Sequence, residues 1–233
     1  MVKISLKDGS VKEFENGISV LDVAKSISEG LARSIVAATV NDEVVGLDYI
    51  IDADCSLNLL KFEDQEGKDV FRHSSSHLLA QALKRLYPNV KLAIGPSIEN
   101  GFYYDIDLDE KLHQEDLEKI EKEMKKIASE DLKIERFELP RDEAIELMKQ
   151  KGEIYKVELI EDLPEGEHIS FYKQGDFVDL CKGPHIPSTK KIKAFKLTSI
   201  AGAYWRGDEK NKMLQRIYGI SFEKQKDLDE YLH

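Results

Sequence analysis

Two short clusters, His73-Ser-Ser-Ser-His77 and Cys181-Lys-Gly-Pro-His185, constrain this chain more than any other feature. The chain has only six His and two Cys, and the clusters use four of those eight side chains from segments more than a hundred residues apart. Within each cluster the two groups stand four positions apart, so imidazole and thiol can enter one pocket if the segments meet. The first cluster suits one face of a helix. The second cannot be helical, because Gly183-Pro184 breaks it, and reads as a loop at a strand end. The expected fold is one in which that helix and that loop close on each other.

Around these clusters the pattern is α+β. Residues 1–62 read as a small mixed sheet clasping one helix: strands at Val2 to Leu6 and Val11 to Phe14 about an Asp8-Gly9-Ser10 turn, a helix from Ser19 through Ile27, and short strands near Val36 to Val40, Glu43 to Val45 and Ser56 to Leu60. The polar run Glu63 to Asp69 reads as a linker. A helix from Val70 to Tyr87 follows. On it Leu78, Leu79, Ala82, Leu83 and Leu86 form a stripe, with His73 and His77 about 150° and 170° from its centre. Strands are expected across Leu92 to Tyr104 and at Lys156 to Ile160, Ile169 to Tyr172, Phe177 to Leu180, Lys193 to Leu197 and Met213 to Tyr218. Helices are expected at Glu115 to Ala128 and Arg141 to Lys149. Phe222 to His233 restarts a charged helical pattern without a cap, as if the chain continued into something longer.

Composition narrows the function. With 41% hydrophobic and 34% charged residues, no apolar run of membrane-spanning length and no signal-peptide core, the chain reads as a cytosolic protein with both thiols reduced. A net charge of -11 argues against a nucleic-acid partner, but nine basic residues from Lys182 to Arg216 face only Asp208 and Glu209, a local +7. Ser74 stands where a zinc protease helix has its glutamate base, which argues against protease chemistry. The four clustered side chains suit either zinc or metal-free activation of water, and spacing alone does not separate the two.

Four motifs, two of them extending these clusters, carry a family resemblance: Arg72-His-Ser-Ser-Ser-His-Leu-Leu-Ala80, Ile94-Gly-Pro-Ser-Ile-Glu-Asn-Gly-Phe-Tyr-Tyr-Asp105, Asp176-Phe-Val-Asp-Leu-Cys-Lys-Gly-Pro-His185, and the run from Ala203 to Tyr218. Through them the chain resembles the N-terminal half of bacterial threonyl-tRNA synthetases. The resemblance implies a TGS (ubiquitin-like, β-grasp) domain at 1–62, an editing domain with a mainly antiparallel sheet at 63–223, and the start of a linker helix at 224–233. It also implies hydrolysis of serine wrongly esterified to threonine tRNA. A pocket built for threonine loses only about 1–3 kcal/mol when serine enters, so a second site must remove the error.

By position in the matching motifs, His73, His77, Cys181 and His185 would line the pocket, Asp179 would hold the seryl ammonium, and Lys156 and Tyr104 would orient or activate water. Lys190, Lys191, Lys193 and Arg206 would contact phosphates at the tRNA 3′ end. The resemblance further implies no cofactor in this region, with zinc on His73, His77, Cys181 and His185 as the alternative. ATP, magnesium and a core zinc belong to a catalytic core absent here. Threonine tRNA is the implied partner, with a monomeric piece of a homodimeric whole. The competing readings are a free-standing trans-editing hydrolase and a non-enzymatic zinc or regulatory TGS module.

Overall fold

The computed structural model describes all 233 residues and divides into two compact units, Met1–Phe71 with Gly183–Pro187, and Arg72–Lys182 with Ser188–His233. In the first, β1 (Val2–Leu6) and β2 (Val11–Phe14) form a hairpin, and the two-residue β3 (Ile18–Ser19) leads into α1 (Val20–Ile27). The Ser19 hydroxyl accepts from Asp22 N at 3.1 Å, so the helix starts where the sequence places a cap. After α2 (Glu29–Ser34) come β4 (Ile35–Val40), β5 (Glu43–Val45), β6 (Ile50–Ile51) and β7 (Cys55–Lys61). The sheet order is β2-β1-β7-β4-β5, with β1 and β7 parallel. Val20, Val23 and Ala24 of α1 share one core with Val2, Ile4, Ile35 and Leu57. This is the expected sheet clasping a helix; α2 and the β3–β6 pair are additions to the expected pattern.

The helix carrying the two histidines, α3, spans Gln65–Leu86, and its residues from Arg72 onward belong to the second unit. It overturns the linker expected over Glu63 to Asp69. Asp64 turns the chain into the helix: its carboxylate accepts from Lys61 N at 2.8 Å and its carbonyl from Lys68 N at 2.9 Å. A polar first turn therefore carries no apolar period and is still helical. His73 and His77 lie across α3 from its leucine stripe, as helical spacing expects, yet that side is not open surface. Arg72, Ser74, Ser75, Ser76 and His77 are all buried, because the polar face of α3 is an interior face as well.

The main sheet of the second unit runs β14-β15-β10-β8, with β9 also paired to β10: β8 (Lys91–Leu92), β9 (Ser97–Ile98), β10 (Gly101–Asp107), β14 (Ala194–Tyr204) and β15 (Met213–Phe222). A second sheet, β11-β12-β13, holds Ile134–Leu139, Ile169–Gln174 and Phe177–Leu180. Both are antiparallel, which bears out the expected class. The remaining helices are α4 (Asp116–Ser129), α5 (Arg141–Gln150), α6 (Ile154–Glu161) and α7 (Gln225–Leu232). The strand expected at Lys156 to Ile160 is a correction, since that segment lies in α6. An apolar run this short does not distinguish strand from helix. The left-handed Gly152 (φ 73°) ends α5 and starts α6 at once. No helix is long and apolar enough to cross a membrane.

Candidate active site

His73 and His77, one turn apart on α3, bring their Nε2 atoms to 3.3 Å. The serines between them explain how the helix sits. Ser75 Oγ donates to Ser221 Oγ on β15 at 2.9 Å, and Ser76 Oγ bonds the carbonyls of His73 at 2.7 Å and Gly95 at 2.6 Å. Small hydroxyl side chains let α3 approach the sheet and the 94–96 turn closely while satisfying their own polar atoms. One turn beyond His77, Gln81 and Gln174 of β12 exchange reciprocal bonds, Gln81 Nε2 to Gln174 O at 3.1 Å and Gln174 Nε2 to Gln81 Oε1 at 2.7 Å. That pair fixes the second sheet, and with it β13, against the histidine helix.

β13 delivers Asp179, and Cys181 follows two residues on, toward the same side. Asp179 is 1% exposed and has three partners: Tyr104 Oη donates to Oδ2 at 2.6 Å, Lys156 Nζ lies 3.1 Å from Oδ1, and His77 Nδ1 lies 3.0 Å from Oδ2. Lys156 Nζ also donates to Tyr104 Oη at 2.9 Å. Burial alone would raise the Asp179 carboxyl, but Lys156 and His77 hold it well below the usual carboxylate range. Burial works against the charged form of His77 too, yet Asp179 and Cys181 push its pKa up to about 9. Tyr104 is raised well above an ordinary phenol, by burial and by Asp179, so its hydroxyl stays neutral. The charged partner of Lys156 is the Asp179 carboxylate.

Cys181 closes the arrangement. Its amide donates to Ser170 O at 3.2 Å and its carbonyl accepts from Ser170 Oγ at 2.7 Å, which holds the strand end. Its sulfur then lies 3.6 Å from His73 Nε2. The segments at 73–77 and 179–181 therefore meet, as the sequence reading expected. His73 and Cys181 are half-buried, whereas His77, Tyr104, Lys156 and Asp179 are buried. The first two are thus the members of the group that reach solvent, backed by the other four. His185 is itself buried, on the Gly183–Pro187 segment that groups with the first unit.

One donor atom each from His73, His77 and Cys181 lies within 4.8 Å of the others, a group that could hold a metal ion. Zinc bonds of about 2.0 Å to nitrogen and 2.3 Å to sulfur place tetrahedral donors about 3.3 Å (N to N) and about 3.5 Å (N to S) apart. The 3.3 Å and 3.6 Å separations are compatible with this, and Asp179 lies 3.0 Å from His77 Nδ1, where such a site places an outer carboxylate. Direct hydrogen bonds account for the same two spacings.

The basic stretch is less free than its local +7 suggests. Arg206 pairs with Glu158 and Asp162, Lys212 with Asp107, Arg216 with Asp105 and Lys196 with Glu121. Lys190 and Lys193 stay exposed, at a cleft of about 380 Å³ that Lys125 of α4 also lines over a floor of Ile192 and Phe195. Lys191 is half-buried, and burial lowers its pKa. Sequence reasoning missed Lys125, Ser76 and Gly95. A β-carbon on Gly95 would lie 2.1 Å from the Tyr104 ring, and the Ile94 to Asp105 motif held both residues without showing that they touch.

Two family models match the chain: the TGS domain over residues 2–61, and the threonyl and alanyl tRNA synthetase second additional domain over 169–218. Among curated proteins it is similar to the threonine–tRNA ligases of Clostridioides difficile (80% identical over 233 residues), Acetivibrio thermocellus (67% over 232) and Clostridium botulinum strain Kyoto (64% over 233). Each alignment covers 100% of this chain but only 36–37% of the relative, so the chain spans about a third of their length.

Proposed function

The chain belongs with the bacterial threonine–tRNA ligases, whose N-terminal part it matches, and from that premise we propose that it hydrolyses the ester of serine mischarged onto threonine tRNA. On this reading residues 1–62 are the TGS domain, 63–223 the editing domain and 224–233 the start of a linker helix. The setting is the cytosol, the partner is the aminoacylated 3′ end of the tRNA, and aminoacylation with its ATP, magnesium and core zinc lies outside this region. The observation that carries the reading is the buried Lys156–Tyr104–Asp179–His77 network, onto which the half-buried His73 and Cys181 converge.

Asp179 already has three partners, so its role is to orient them rather than to receive the seryl ammonium. The Lys156 ammonium spends two N–H groups on Tyr104 and Asp179, which leaves a third for the ester carbonyl oxygen or the attacking water. His73 and Cys181, with His185 by its motif, supply the groups that meet the ribose, the ester and water. Lys190, Lys191 and Lys193 serve as phosphate contacts, with Lys125 facing them across the cleft. Arg206 contributes less, because Glu158 and Asp162 already hold it. The piece is monomeric and the whole enzyme a homodimer.

Purified chain given seryl- and threonyl-tRNA for threonine is expected to release serine preferentially. His73→Ala or Cys181→Ala should slow that release about a hundredfold. Equal release of both amino acids, or unchanged rates in both variants, overturns the reading. A second reading has zinc held by His73, His77 and Cys181, with His185 by its motif, and such an ion would supply Lewis acidity and an activated water. Metal analysis separates the two: the metal-free reading expects less than stoichiometric zinc and full activity after chelation.

A further inference from the structure

We propose that Glu153 is the positioning residue that sets where the Lys156 ammonium sits, by tying the start of α6 to both α3 and β8. Helix α6 has only eight residues and no side-chain cap of its own, and it follows directly on the left-handed Gly152. Alongside the bond from Tyr155 Oη to Asp107, its first turn is anchored by the Glu153 carboxylate, which is 3% exposed. Oε1 accepts from Leu92 N of β8 at 3.3 Å and lies 3.2 Å from Lys84 Nζ of α3.

Both anchors lead to the site. Lys84 stands seven residues after His77, two helical turns along the same face of α3. Leu92 pairs in register with Ile106 of β10, two residues from Tyr104 and on its side of the strand. A single carboxylate thus joins the helix bearing Lys156 to the helix bearing His77 and to the sheet bearing Tyr104. Lys156 follows one turn after Glu153, so movement at the anchor passes to the 2.9 Å and 3.1 Å contacts of its ammonium. Burying a carboxylate costs stability, and burial raises the pKa of this one despite Lys84. An apolar residue at the same place would avoid that cost but could not make either tie.

The activity arm of the test rests on the hydrolytic reading; a spectroscopic arm does not. Glu153→Gln keeps an acceptor for Leu92 N and gives up the charge facing Lys84, and Lys84→Met removes that tie from the other side. Each is expected to lower kcat for seryl-tRNA deacylation about tenfold with KM within about twofold, and to add nothing further in a Lys156→Ala background. Equal losses with and without Lys156, or a raised KM at unchanged kcat, overturn the proposal. By nitrogen NMR of the lysine ammonium groups, the signal that disappears in Lys156→Ala should shift or broaden in both variants. An unmoved signal refutes the positioning role. If the unaltered chain releases no serine, the hydrolytic reading fails, while the ammonium signal still decides the role of Glu153.

Discussion

Tyr104 is held from three directions: Asp179 accepts from its hydroxyl, Lys156 donates to its oxygen, and Gly95 packs close to its ring. The last contact has the least tolerance. A methyl group at 95 would lie 2.1 Å from Cδ2 of the ring, and Ser76 pins the Gly95 carbonyl so that the turn cannot retreat. Gly95→Ala is therefore expected to displace the phenol and slow deacylation about a hundredfold, measured as single-turnover serine release. A rate equal to that of the unaltered chain would mean that the ring does not govern the chemistry. Whereas Asp179 was named only by its position in a matching motif, His73, His77 and Cys181 were legible in the sequence, because rare side chains in fixed spacing stand out against a charged background. Ser76, Gly95 and Glu153 were not: each acts through a contact that spans many positions of the chain, and each belongs to a residue type that is common everywhere.

At the scale of elements, α6 shows why local pattern was insufficient. Its sequence, Ile-Tyr-Lys-Val-Glu-Leu-Ile-Glu, suits a strand as well as a helix, and what decides for helix lies elsewhere in the chain. Tyr155 Oη donates to Asp107 of β10 at 2.7 Å, and its ring meets Trp205 edge-on at 5.0 Å. Trp205 Nε1 in turn donates to Glu158 at 3.3 Å. Tyr155→Phe keeps the ring contact and removes the donor to a buried carboxylate. It should destabilise the protein by about 1–2 kcal/mol in urea denaturation, and no measurable loss would show that the bond is replaced by water. The elements with strong local signals, α1 with its Ser19 cap, α4, α5, β2, β5 and β13, fall at or within a residue or two of where periodicity and turn residues put them. The unexpected start of α3 and the missed β11 have weak local signals and depend on partners distant in sequence.

Across the whole molecule, charge is arranged more evenly than the sequence suggests, because the basic run near the C-terminus is largely spent on acids from other segments. Asp107 is one of those acids. Burial alone would raise its pKa, but hydrogen bonds from Lys212 and Tyr155 bring it below its ordinary value. A carboxylate lowered on folding stabilises the fold above its unfolded value, about 3.9 for Asp, and that contribution is lost as pH falls through the folded value. Stability followed by urea denaturation should therefore fall on acidification below about pH 4, and Asp107→Asn should flatten that fall. An unchanged acid limb in the variant would remove Asp107 from the account. A final consequence comes from the distance along the chain between the histidine helix and the thiol. On the proposed hydrolytic reading, the nascent polypeptide stays harmless to the ester bonds of charged tRNAs until Cys181 has cleared the ribosome and reached the helix made long before it.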